Sequence, residues 1–147
     1  MNIELLKDIV DYGVIGLLIF MSFLSLWFYI ERLLFFKNIN LVNYKEKQLL
    51  EIDITKHIAI ISSNGSNAPY IGLLGTVFGI IITFYTMGTN TDIDVKIIMS
   101  SLALALKATA MGLIVAIPSM FFYNHLARKI EVLIALWEVE QKGKSAN

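Results

Sequence analysis

Pro69-Tyr70-Ile71-Gly72-Leu73-Leu74-Gly75-Thr76-Val77-Phe78-Gly79 opens an uncharged, apolar run that continues to Met87. Gly75 and Gly79 stand four residues apart, so they share one helix face on which a second backbone can come close. Gly72 lies beside that face, and Thr76 puts a hydroxyl into it. A helix that only had to sit in lipid would carry Leu and Ile throughout. This one is shaped to pack tightly around something polar. A Gly-x-x-x-Gly strip also serves plain helix packing, and the stretch alone leaves both roles open.

The composition around it agrees with a membrane setting. The chain has 147 residues, 56% of them hydrophobic and only 16% charged, against about 25% charged in an average soluble domain. The apolar residues come in blocks. Tyr12–Ile30 is uncharged, Ala68–Met87 is uncharged, and Ala108–Tyr123 follows the mostly apolar Ser100–Leu106. A bilayer core of roughly 30 Å takes about 20 helical residues. The third block reaches that length only with Leu102–Leu106 included, which brings Lys107 near one membrane edge. The expected fold is therefore an all-α integral membrane protein forming one domain over 1–147. Its spans fall at about 12–30, 68–87 and 102–123, with a loop at 31–67 and a tail helix at 124–142. The first span is expected to stay as an anchor rather than be cleaved. Glu4, Asp8 and Asp11 precede it, its apolar run is long, and no A-x-A pattern follows.

Lysine and arginine set the orientation. Arg32, Lys37, Lys45, Lys47 and Lys56 lie between spans one and two, and Arg128, Lys129, Lys142 and Lys144 lie in the tail. The positive-inside rule places both segments in the cytoplasm, with the N-terminus and the Gly88–Met99 connection on the other side. Ser66 or Asn67 is the expected cap of span two, with Pro69 in its first turn. Leu126, Ile130, Leu133, Ile134 and Trp137 recur at helical spacing, so the third span is expected to run on as an amphipathic helix. Its apolar face needs a cover, either the first loop or a neighbouring copy.

Span three repeats the design of span two. Ala105, Thr109 and Gly112 run along one side, with Ala108 and Ala116 adjoining, and Pro118 frees a backbone carbonyl a turn earlier. Span one is bulky and is expected to face lipid, with Trp27 and Tyr29 near the interface. No Asp or Glu lies within any of the three spans. Hydroxyls pass a proton along but cannot hold one near neutral pH, so a proton route through Thr76 and Thr109 needs a carboxylate from a second membrane protein. Lys107 either snorkels to the interface or pairs with such an acid. His57 and His125 have no ligand set around them and read as surface residues.

The composition also excludes functions. Zero net charge gives nucleic-acid binding no electrostatic support. No cysteine is present for disulfide, thiolate or thiolate–metal chemistry. No nucleophile–base pair, metal cluster or phosphate loop indicates an enzyme, and no cofactor is implied.

Two segments, GLLGTVFGI at Gly72–Ile80 and LKATAMGLIVAIPSMFFYNHLAR at Leu106–Arg128, resemble the MotA/TolQ/ExbB family of proton-channel proteins, nearest its short ExbB and TolQ branch. The match is good over spans two and three and weak over the first loop. The resemblance implies an inner-membrane motor subunit, a homo-pentamer whose second and third spans line a pore. Single-span ExbD-like partners stand inside, each with a membrane aspartate. Proton flow would reach a TonB-like protein and energise outer-membrane transport. Thr76 and Thr109 fall on the family's pore-lining threonines, with Gly72, Gly75, Gly79, Ala105, Gly112 and Pro118 as packing positions at the pore. Many members carry a glutamate five residues before the span-three threonine; here Leu104 stands there. A TolQ-like role in outer-membrane integrity and division, or a non-conducting scaffold, are the competing readings. A MotA-like flagellar stator is disfavoured, because the chain lacks a fourth span and a large charged cytoplasmic domain.

Overall fold

Four α-helices follow one another along the computed structural model, which describes residues 2–92 and 94–147. α1 runs Ile3–Asn38, α2 Lys47–Ile54, α3 Ile58–Thr89 and α4 Val95–Ser145, with a 3-10 turn at Leu41–Asn43. No strand occurs among the described residues. α1, α3 and α4 are each long and apolar enough to cross a membrane.

The breaks between helices have local causes. After α1 the backbone turns extended at Ile39, and Asn40 accepts a hydrogen bond from the Val42 N–H to start the 3-10 turn. α2 ends at Thr55, whose hydroxyl donates to the Glu51 carbonyl. His57 then takes a left-handed conformation at φ 66°, which reverses the chain into α3. Asp94 caps α4 by accepting from the Lys96 N–H, an interaction that typically contributes about 1 kcal/mol. The α3–α4 connection is shorter than the expected Gly88–Met99, since Gly88 and Thr89 still belong to α3. Ile93 within it lies outside the described residues.

α3 corrects one expectation. It begins at Ile58, so neither Ser66 nor Asn67 is its cap, and Pro69 sits in its interior rather than its first turn. The polar run Ser62–Asn67 reads as loop, yet a helix absorbs it because its polar groups find partners there. Asn67 donates to the Ser63 hydroxyl one turn back. Asn64 is 8% exposed and donates both amide hydrogens to α1, one to the Met21 carbonyl and one to the Ser25 hydroxyl, each at 2.9 Å.

Packing places α3 along α4, with α1 laid across both. The α3–α4 seam is made of small residues. A Cβ built on Gly72 would stand 2.6 Å from the Ala108 carbonyl oxygen and 2.9 Å from the Gly112 Cα. A Cβ on Gly112 would stand 2.7 Å from the Ala68 carbonyl oxygen. The two backbones therefore touch. α1 keeps its bulky face outward, with Phe20 56% and Trp27 60% exposed, and buries Leu18, Met21 and Ser25. Leu18, Met21, Ala68, Val115 and Ala116 make one apolar cluster. Phe36, Leu50, Ile54, Ile58, Ile61, Leu126, Ile130 and Trp137 make a second. The amphipathic stripe of α4 is thus covered by the first loop, within the same chain.

Polar contacts tie that loop down. Arg32, 3% exposed, donates to the Asp53 carbonyl at 2.7 Å and to Glu31. Trp137 Nε1 donates to the Tyr44 carbonyl at 3.0 Å, and Lys47 Nζ meets Glu138 at 2.7 Å. The Lys47 hydrogen bond holds the Glu138 carboxyl below its ordinary value, and Glu138 in turn raises Lys47. The depressed carboxyl contributes stability above its unfolded value and loses it as pH falls through the folded one. The raised amine contributes below its unfolded value and loses it as pH rises through its own folded one.

Two outcomes follow from this packing. Gly112→Val should overpack the seam, at a cost of about 1–3 kcal/mol or more, and lower the thermal midpoint in detergent by several degrees. Gly143→Ala, with nothing within 4 Å of the added carbon, should leave the midpoint level or raise it. Equal effects would remove the backbone contact as the cause. In a Trp27→Phe background, Trp137 emission should shift red as pH drops below the ordinary carboxylate range. Glu138→Gln should abolish that step, and an unaltered transition would assign the acid sensitivity elsewhere.

Candidate functional site: a hydroxyl pair in the small-residue seam

Thr76 and Thr109 meet across the seam with their hydroxyl oxygens 2.6 Å apart. Thr76 Oγ1 also lies 2.9 Å from the Ala105 carbonyl and 3.4 Å from that of Gly72. One hydroxyl carries one hydrogen, so two arrangements exist. Thr76 donates to Ala105 while Thr109 donates to Thr76, or Thr76 turns and donates to Thr109. Rotation of two hydroxyls interconverts them, and each step passes hydrogen-bond polarity from one helix to the other. Hydroxyls this close are able to relay a proton, and being neutral they do so without burying a fixed charge.

The glycines are what allow this approach. Gly75 faces the Ala108 side chain and Val14 of α1, and Gly79 faces Ala105. Side chains on the glycines would hold α3 off α4 and open the hydroxyl pair beyond hydrogen-bond reach. Thr76, Gly72, Gly75, Ala105 and Gly112 are buried, while Thr109 and Gly79 are half-buried. Pro118 and Lys107 fall outside the seam: both are exposed, and Lys107 has no ion pair among the described residues. Its neighbours Leu104 and Leu106 are 52% and 59% exposed, so this amine stands on an otherwise apolar surface.

Two further features were not legible in the residues. The first is a buried polar node where all three long helices meet. Ser119 of α4 donates to Ser25 of α1 at 3.0 Å, and Ser25 accepts from Asn64 of α3 at 2.9 Å. In every helix the node residue falls between the two apolar clusters. Ser25 stands in a bulky run and Asn64 in an apparent loop, so only their meeting shows a role. The second is a cavity of about 410 Å³ at the end of the bundle that holds the α3–α4 connection. Asp11, Gly79, Thr83, Leu104 and Ala105 are among its walls. No group of three or more acidic or imidazole side chains is placed to hold a metal among the described residues.

Comparison with known proteins identifies the family. Residues 35–139 match the family described as the MotA/TolQ/ExbB proton channel family. A putative biopolymer transport protein ExbB-like 2 from Helicobacter pylori (strain ATCC 700392 / 26695) is 50% identical over 134 residues, covering 91% of this chain and 89% of its own. The biopolymer transport protein ExbB of Aquifex aeolicus is 51% identical over 135 residues, covering 92% and 91%. The Tol-Pal system protein TolQ of Pseudomonas aeruginosa is 36% identical over 90 residues, 61% of this chain and 37% of that protein. With its three membrane-length helices, its glycine seam and a match over most of its length, this chain belongs to the MotA/TolQ/ExbB proton channel family.

Proposed function

We propose that this chain is the proton-conducting stator subunit of an energy-transducing motor in the bacterial inner membrane, and that it powers TonB-dependent outer-membrane transport. The observation that carries the proposal is the Thr76–Thr109 contact at 2.6 Å, set in a seam of Gly72, Gly75, Gly79, Ala105 and Gly112. The pair can hand a proton on but cannot store it. The storing group is the carboxylate of an ExbD-like single-span partner, and Lys107, exposed on α4 and without an ion pair among the described residues, is the contact for a partner acid. A homo-pentamer would bring α3 and α4 of each copy around the partner, with the N-terminus periplasmic and the tail of α4 cytoplasmic. Each proton crossing releases about 2.3 kcal/mol per 100 mV of potential, so several are needed per work step, and coupling runs through a TonB-like protein.

Two relatives named ExbB match at about 50% identity over about 90% of this chain, other ExbB relatives cover about half of it, and the TolQ match is 36% identical over 61%. The higher identity of the fuller matches supports the TonB branch over a Tol role in envelope integrity and division.

Thr109→Val keeps shape and removes the hydroxyl. It should leave the amount of assembled complex unchanged on a native gel and reduce uptake of a TonB-dependent nutrient at least tenfold. Uptake at the unaltered level would remove Thr109 from the route. Deletion of the chain should abolish the same uptake; detergent sensitivity with uptake intact would instead assign it to the Tol branch.

A further inference from the structure

Asp11 ends the charged leader just before the first apolar block, and in the sequence it stands outside the membrane. The packing moves it. Val14 lies against Gly75, with its Cγ1 2.9 Å from where a Gly75 side chain would begin. Asp11 is three residues further along α1, about one turn beyond that contact. It therefore reaches the level of Gly79 and Ala105, with which it shares the walls of the 410 Å³ cavity. From Gly79 the apolar run of α3 continues to Met87, about 12 Å at the helical rise. The offset between helices thus sets a carboxylate beside a stretch of α3 that is still uncharged and apolar.

Three properties set this carboxylate apart. It is half-buried, and it makes no hydrogen bond or ion pair within the chain among the described residues. The cavity it lines includes Ala105, whose carbonyl accepts from Thr76, so one residue separates this space from the hydroxyl pair, whose threonines do not line it. The nine-tenths-buried Thr83 stands on the same wall. Ionisable groups at membrane depth are costly and face water-filled cavities or functional paths. The other charged groups facing this cavity are Glu4, Lys7, Asp92 and Asp94. Glu4 and Lys7 lie nearer the start of α1, and the two aspartates lie at the α3–α4 connection, so Asp11 is the innermost of the acids.

We infer that Asp11 is the entry carboxylate of the proton route, loading the Thr76–Thr109 pair through water in this cavity. The inference rests on the channel reading above. Asp11 takes a proton from the water of the cavity mouth and gives it to the water beside Ala105. Each threonine hydroxyl passes its own hydrogen onward as it accepts one and stays neutral, the partner's carboxylate receives the proton, and rotation of the two hydroxyls restores the starting arrangement. No bond other than O–H forms or breaks.

The test is proton flux into membrane vesicles prepared from cells making the chain with its own partners, read with an internal pH-sensitive dye under an imposed gradient. Asp11→Asn should lower the flux at least tenfold at an unchanged amount of complex. Asp11→Glu should keep most of it and shift the pH at which flux is half-maximal. Asp11→Asn combined with Leu104→Glu, which returns a carboxylate to the same cavity from α4, should restore flux; a structural role for Asp11 predicts no such rescue. Flux that Thr109→Val abolishes but Asp11→Asn leaves intact overturns the assignment of Asp11 while the channel stands. Loss of flux in Asp11→Asn that neither Asp11→Glu nor Leu104→Glu relieves also overturns it. Absence of flux from assembled unaltered protein removes the channel reading, and Asp11 with it.

Discussion

The contact between the Gly72 and Gly112 backbones is the constraint on which the rest of the bundle depends. Glycine carries no side chain to separate two helices, and in lipid, where apolar burial gives no net drive, close packing and polar contacts must hold them together. Once α3 and α4 touch there, the helical repeat fixes what meets further along the seam. Four residues past Gly72, Thr76 comes within 2.6 Å of Thr109, and a turn beyond that Gly79 meets Ala105. In the other direction Gly65 receives Met120, and Asn64 and Ser119 both reach Ser25. Moving α3 by one residue would break every one of these meetings at once.

Buried polar side chains join the long helices to one another at two levels. At the Ser25–Asn64–Ser119 node each helix contributes one group, and the node joins all three. No buried side-chain polar atom lacks a partner among the described residues. A polar contact of this kind in a membrane contributes only about 0.6–2 kcal/mol. Its larger effect is specificity: a rotated or slipped helix would leave an amide or hydroxyl unsatisfied at a cost of several kcal/mol. The Thr76–Thr109 level is different in kind. Its two hydroxyls have more than one satisfied arrangement, so it is mobile in hydrogen-bond direction while fixed in position. That combination suits a relay, whereas the node suits a clamp.

The sequence carried the three spans, the glycine seam, both threonines and the long α4, because each rests on local spacing. Gly72, Gly75 and Gly79 announce a close approach wherever the partner lies, and Thr109 with Gly112 announces a matching face. What it did not carry depends on offsets between helices. The polar Ser62–Asn67 run reads as loop until Met21 and Ser25 of α1 are placed beside Asn64. Asp11 reads as a leader residue until Val14 is seated on Gly75. Span one was legible as a bulky helix, and Phe20 and Trp27 stand exposed on it. The residues it turns inward, among them Leu18, Met21 and Ser25, were not. No local pattern marks these residues, since their role is set by what two other helices present to them.

The continuity of α4 connects the membrane levels to the tail. Thr109 and Trp137 lie on one unbroken helix, 28 residues or about 42 Å apart at the helical rise. A rotation of α4 at Thr109 would carry Leu126, Ile130 and Trp137 with it. Those side chains are held by Leu50, Ile54 and Phe36, by the Tyr44 carbonyl and by the Lys47–Glu138 pair. α2 is bound in turn to α1 by Arg32, which donates to the Asp53 carbonyl. Rotation of α4 alone would therefore have to break a buried apolar cluster and its hydrogen bonds, while rotation of the subunit as one body breaks none of them. The physical economy of the fold argues that, if this chain moves during its work, it moves whole, and that any sliding surface lies between the chain and its partners.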